Sequence, residues 1–97
     1  MPCSKEVNKV YFISLTKFKK KPTKAFNAET QKMREAESKE GIKFLGIYWT
    51  LGKYDSVALY EAPNEQAVMK MALRRAEMMD METLVAVPLE EAKKLVD

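Results

Sequence analysis

The chain has no histidine and a single cysteine, Cys3. The soft-ligand sets that hold zinc, copper or haem iron are therefore missing, so no metal and no cofactor is expected, and one cysteine cannot form an internal disulfide. Long hydrophobic runs are absent too. Lys, Glu, Asp or Gly interrupts every apolar stretch within a few residues, well short of the ~18 needed to span a bilayer. Residues 1–6 lack the apolar core of a secretory signal, so cytoplasm is the simplest compartment and no membrane partner is expected. Charge of one sign is scarce, with a net of +3. Lys17, Lys19, Lys20 and Lys21 do cluster before Pro22, but such a run is most simply a solvated loop.

What is present is the composition of an ordinary globular domain. The chain has 97 residues, 46% hydrophobic and 32% charged. That length gives one domain (1–97), near the size at which a partner surface often completes the core.

The clearest local signal runs from Thr50 to Pro63. Aromatic and β-branched residues lead into Gly52 and Asp55, which bracket a short reversal, and an apolar run through Val57 to Tyr60 leads out to Pro63. This is the pattern of a hairpin between antiparallel strands, with Gly52 supplying the turn. Upstream, Val10, Tyr11, Phe12, Ile13, Ser14 and Leu15 read as a strand. Pro22 and Thr23 suit the start of a helix carrying Phe26, Met33 and Ala36 on its apolar side, and Gly41 suits its end. A second strand covers 42–51. Pro63 and Asn64 close the third strand and open a second helix with Val68, Met71, Ala72 and Ala76 as its stripe, widened by Met69 and Leu73. Residues 83–87 read as a fourth strand stopped by Pro88, and a short helix follows with Leu89, Ala92 and Val96 on one side. The order is βαββαβ plus a tail helix. It predicts an α+β fold, in which a four-stranded antiparallel sheet carries both long helices on one face.

The second strand is apolar on both alternating sets, with Leu45, Ile47 and Trp49 against Phe44, Gly46 and Tyr48. A sheet with water on one face alternates more cleanly, so the helix-free face is expected to be covered by another copy of the chain, as a homo-oligomer of two or more subunits. If both hairpin strands are regular, Tyr48, Tyr54 and Tyr60 share a face with Gly46, Ser56 and Ala58. Large phenols beside small residues outline a pocket for a small apolar ligand or fill a dimer core. Asp55 and Glu61 flank the third strand as candidate polar groups. Asp55 is expected to accept backbone hydrogen bonds in its turn, a structural role, and the alternative for the pair is acid–base work at a pocket mouth.

Gly52, Tyr54 and Asp55, followed by Val57, by Glu61-Ala62-Pro63 ahead of a helix, and by Glu82-Thr83-Leu84, resemble the GYD domain family. The resemblance runs from about Tyr11 to Pro88. It implies a ferredoxin-like fold within the dimeric α/β barrels, where two sheets face each other. Family members usually have a glycine after the second helix, where this chain has Glu77-Met78-Met79-Asp80-Met81. The resemblance implies a fold and an assembly rather than a reaction.

Two function classes follow. A non-catalytic homo-oligomeric binding or accessory protein accounts for the apolar pattern without any catalytic group. The alternative, by analogy with other dimeric α/β barrels, is a cofactor-independent enzyme of monooxygenase or isomerase type, acting on a small apolar substrate in a pocket between sheet faces. The same element order underlies the RNA-recognition module. The third strand argues against nucleic acid, because the run from Gly52 to Val57 lacks one of that module's stacking rings and Asp55 would set a negative charge near the backbone of a bound strand.

Overall fold

The computed structural model describes residues 10–96; Cys3 and the rest of the stretch read above as lacking a signal lie outside the described residues. Strand β1 (Val10–Phe18) is central in a sheet of order β2-β3-β1-β4, between β3 (Ser56–Ala62) and β4 (Met79–Ala86), with β2 (Lys43–Trp49) at the edge beside β3. Every neighbouring pair is antiparallel. Helix α1 (Lys24–Lys39) starts where the Thr23 hydroxyl accepts a hydrogen bond from the Phe26 N–H at 3.2 Å, and α2 (Glu65–Arg74) starts where the Asn64 side chain accepts from the Ala67 N–H at 2.9 Å. Each cap satisfies one of the backbone donors that a helix start leaves unpaired. A four-residue helix α3 (Leu89–Ala92) and a 3₁₀ turn (Lys93–Leu95) end the described chain. The architecture is the α+β arrangement expected from the element order, and it is the ferredoxin-like fold that the resemblance implies. Among the described residues, no helix is long and apolar enough to cross a membrane.

Several boundaries differ from expectation. Strand β1 runs past Leu15 to Phe18, which puts Lys17 in the sheet rather than in the expected lysine loop, and β2 is shorter than 42–51 at both ends. Helix α2 stops at Arg74, which leaves Ala76 outside it, and Met69 and Leu73 point outward. Strand β4 starts at Met79 rather than Thr83. The backbone from Arg75 to Met78 closes a tight turn, with Met78 and Met79 N–H donating to the Arg75 carbonyl, and this is the shape of the connection that lacks a glycine. Met79, Asp80 and Met81 then pair with Phe18, Lys17 and Thr16. The length of β1 dictates this extension, overriding the weak strand preference of Met and Asp. At the far end, Val96 lies beyond the short terminal helix, and both it and Leu89 are exposed.

A β-bulge in β2 sets the faces of the hairpin. Phe44 pairs with Tyr60, but Gly46 pairs with Leu59, so Leu45 is the extra residue between them. Because side chains alternate along a strand, one inserted residue reverses the facing of everything beyond it. Phe44, Ile47 and Trp49 therefore share the helix side with Tyr60, Ala58 and Ser56, whereas Gly46 and Tyr48 share the opposite side with Leu59 and Val57.

On the helix side, two buried clusters form. One joins Phe12, Ile42, Tyr60 and Ala62 of the sheet region to Val68 and Met71 of α2. The other joins Phe26 of α1 to Met78 and Met79, with Phe18, Met33 and Met81 packed around them. The helix-free side carries Ile13 between Leu59 and Leu84, and Leu15 beside Val57. Leu59 and Leu84 remain 37% and 43% exposed.

Gly52 has φ +103° with nothing near the position a Cβ would take, and Gly41, just past α1, has φ +98°. The cost of a side chain at Gly52 is thus conformational rather than steric. Gly52→Val is expected to lose about 1–3 kcal/mol in urea unfolding, the strain of a β-branched residue at positive φ. An unchanged midpoint would show that the turn tolerates another conformation.

Candidate functional site

The two buried clusters do not merge. Between them, under the middle of α1, lies a cavity of about 310 Å³. Its walls are two chains of rings. Trp49 meets Phe18 edge-on at 5.7 Å and Phe18 meets Phe26 at 5.1 Å, while on the other side Phe44 meets Tyr60 at 5.6 Å. Asn27, Thr30, Gln31 and Arg34 line it from α1, at spacings that put them on one helical face. Asn27, Gln31 and Trp49 are also exposed, which places the mouth at the β2 side of α1.

Polar groups gather at the floor. The Ser14 hydroxyl and the Tyr60 phenol are hydrogen-bonded at 2.7 Å and both side chains are fully buried; Ser14 Oγ also lies 3.2 Å from Thr83 Oγ1. Burial pushes the Tyr60 phenol above its ordinary pKa, against the pull of the Ser14 and Thr83 hydroxyls and the Arg75 charge. Tyr60 is therefore a neutral hydroxyl near pH 7, able to donate to an oxygen of a bound molecule. Thr16 and Ser56, also buried, add hydroxyls beside it.

Behind the floor stands a buried ion pair. The Arg75 guanidinium grips Glu37 with both terminal nitrogens, Nη2 to Oε1 at 2.8 Å and Nη1 to Oε2, and Arg74 Nη1 adds a bond to Oε2 at 3.1 Å. Arg74 also bonds Glu40 at 2.8 Å, holding that carboxyl below its ordinary pKa. The network ties the end of α1 to the end of α2. Arg75 lines the cavity; no carboxylate does.

The residues singled out from the sequence are divided among three places. Ser56, Ala58 and Tyr60 line the cavity. Gly46 and Tyr48 lie on the opposite face, where the Tyr48 ring folds back so closely that a Cβ on Gly46 would sit 3.0 Å from it. The expected shared face is corrected by the bulge at Leu45: in a regular ladder Gly46 would oppose Ala58, and Tyr48 would oppose Ser56. Tyr54, in the β2–β3 connection, reaches across the end of β1 and donates its hydroxyl to Glu82 Oε1 at 2.5 Å, a bond to a carboxylate that raises the phenol's pKa. The Asp55 carboxylate accepts a backbone hydrogen bond from Phe18 N–H at 2.8 Å and pins the end of β1, while the Asp55 carbonyl accepts from Thr50 N–H at 2.8 Å and closes the turn. Glu61 lies on the helix-free face, across from Tyr11 and Lys43. The cavity is likewise on the helix side of the sheet, not on the face where a pocket between sheets was expected.

Sequence reasoning passed over Ser14, Thr30, Glu37 and Arg75. Three of them carried a signal. Ser14 interrupts an apolar strand in step with Phe12. Thr30 and Glu37 continue the buried stripe of Phe26 at intervals of four and seven.

The sequence model of the GYD domain matches residues 12–96. No curated protein matches the chain. Among solved structures, the chain is similar to one described as the crystal structure of PH0061, with a TM-score of 0.57 and 15% identity over 92% of this chain and 59% of that one. It is also similar to the crystal structure of MupZ from Pseudomonas fluorescens, with a TM-score of 0.50 and 18% identity over 91% of this chain and 74% of that one. The chain thus spans little more than half the length of the first of these, and at such identities the likeness is one of fold.

Proposed function

The chain belongs to the GYD domain family, and from that premise we propose that it is a homo-oligomeric binding protein that takes one small, largely apolar molecule into the cavity between α1 and the sheet. The observation that carries this reading is a half-open cavity of about 310 Å³ walled by aromatic rings, with a neutral hydroxyl cluster at its floor. That volume is at the small end of ligand sites and suits a one- or two-ring molecule bearing an oxygen. Tyr60 and Ser14 would orient the oxygen, and the rings would bury the rest. The second copy in the assembly is expected to cover the apolar helix-free face.

A cofactor-independent enzyme is the second reading, favoured by the Ser14–Tyr60 pair being inside the cavity rather than at the surface. The lining ionisable groups are Arg34, Arg75 and Tyr60, so proton transfer would depend on the phenol.

The test uses the cavity's smallest non-glycine wall. A neutral two-ring probe such as 2-naphthol is expected to raise the unfolding temperature with the logarithm of its concentration, amounting to about 2.7 kcal/mol at a hundredfold excess over Kd. Ala58→Leu is expected to remove that response while keeping or raising the stability of the free protein, because it fills empty space opposite Ser14. Absence of stabilisation by any one- or two-ring probe, or an undiminished response in Ala58→Leu, overturns the reading. Turnover of a ligand lost in Tyr60→Phe with binding retained would establish the enzyme.

A further inference from the structure

Two arginines and no acidic residue line the cavity. Arg75 is neutralised by the two-pronged contact with Glu37 behind it. Arg34 is in a different position. It is half-buried on α1, one turn beyond Thr30, and among the described residues it has no hydrogen bond and no ion pair. A permanently charged group facing a ring-lined space, with its counter-ion missing, makes that space electropositive at the mouth end. The floor end, by contrast, offers neutral hydroxyls.

Resting on the ligand reading above, we propose that the natural ligand is an aromatic carboxylate, held with its carboxylate against Arg34 and its ring between the Trp49–Phe18–Phe26 and Phe44–Tyr60 walls. A planar carboxylate is the partner that a guanidinium matches with two parallel hydrogen bonds. Partial burial strengthens the pairing because water screens it less than at an open surface. The neighbouring Asn27 and Gln31 amides supply neutral donors that complete the solvation of the anion without competing for its charge. No acidic side chain lines the cavity to repel it. An oxygen substituent on the far ring would meet the Ser14–Tyr60 pair, which gives the ligand a direction.

The experiment compares 2-naphthoate with 2-naphthamide, equal in shape and differing in charge, by calorimetry and thermal shift on the full chain. Naphthoate is expected to bind about tenfold or more tightly than the amide, the difference between a charged and a neutral hydrogen-bonded pair. The preference is expected to weaken with added salt. In Arg34→Gln the two affinities should converge, Arg34→Lys should restore part of the difference, and Ala58→Leu should abolish naphthoate binding. Equal binding of acid and amide to the wild type would overturn the carboxylate assignment and leave the cavity reading standing. A preference that survives Arg34→Gln would assign selection to another cation and overturn the role of Arg34. Naphthoate binding that survives Ala58→Leu would place it outside the cavity, and failure of both probes to bind would overturn both readings.

Discussion

Glu37→Ala is expected to lower the free energy of unfolding by about 3–5 kcal/mol, measured by urea denaturation, because it leaves the Arg75 guanidinium buried with no counter-charge. Glu37 is fully inaccessible and Arg75 nearly so, which removes the solvent screening that makes surface pairs weak. The same carboxylate also receives Arg74, so the substitution strips three side-chain hydrogen bonds at once. A domain of this size has about 5–15 kcal/mol in total, so the loss would be a substantial fraction of it. The double variant Glu37→Met with Arg75→Met distinguishes lost attraction from stranded charge. If the damage comes from the stranded guanidinium, the double variant should recover most of the loss. A single variant that unfolds at the wild-type midpoint would show the pair to be hydrated and dispensable.

The second large effect concerns assembly. Leu59→Asp places a carboxylate near the middle of the helix-free face, in the row formed by Leu59, Ile13 and Leu84. In a dimer that pairs these faces, the change enters twice, and desolvation and mutual repulsion are expected to weaken association by on the order of 10²–10³-fold. Wild-type protein at tens of micromolar should scatter light as at least twice the 11.2 kDa chain mass, with roughly 1,200 Å² or more buried in total. The Leu59→Asp protein should scatter as one chain. Tyr48→Asp, farther toward the β2 edge and 64% exposed, is expected to act in the same direction. Because both side chains are partly solvated in the single chain, the monomeric variants should keep their fold. Monomeric wild-type protein under these conditions would remove the second copy from the proposed function.

Much of the fold was legible because local and long-range signals agree. Thr23, Asn64 and Gly41 mark helix ends by their own backbone chemistry, and Gly52 marks the hairpin; each stands where the sequence put it. The start of β4 was not legible, because Met79, Asp80 and Met81 become a strand through the reach of β1, sixty residues away in the chain. The site was harder for two reasons. Gly46 inside a strand is a bulge signal, yet it was read as the small member of a pocket, and a single unpaired residue beside it moved Tyr48 to the other face. Glu37 was passed over, since nothing within a few residues announces that its partner is Arg75 at the end of the other helix. Tyr60, Ser56 and Ala58 were found by small-beside-large alternation, which a bulge in the neighbouring strand does not disturb.

The bulge at Leu45 also bears on how copies of the chain avoid one another. Strand β2 is a rim of the sheet, and an unbroken rim presents backbone donors and acceptors at which a foreign strand can add, then another, without end. The extra residue puts that row out of phase halfway along, and Lys43 sets a charge beside it. At the opposite rim, Asp80 and Glu82 on β4 play the corresponding part. Growth by extending the sheet is obstructed at both ends, and the proposed dimer would instead pair the flats of two sheets. Contact of that kind would close on itself by a two-fold axis and give a particle of fixed size instead of a fibre.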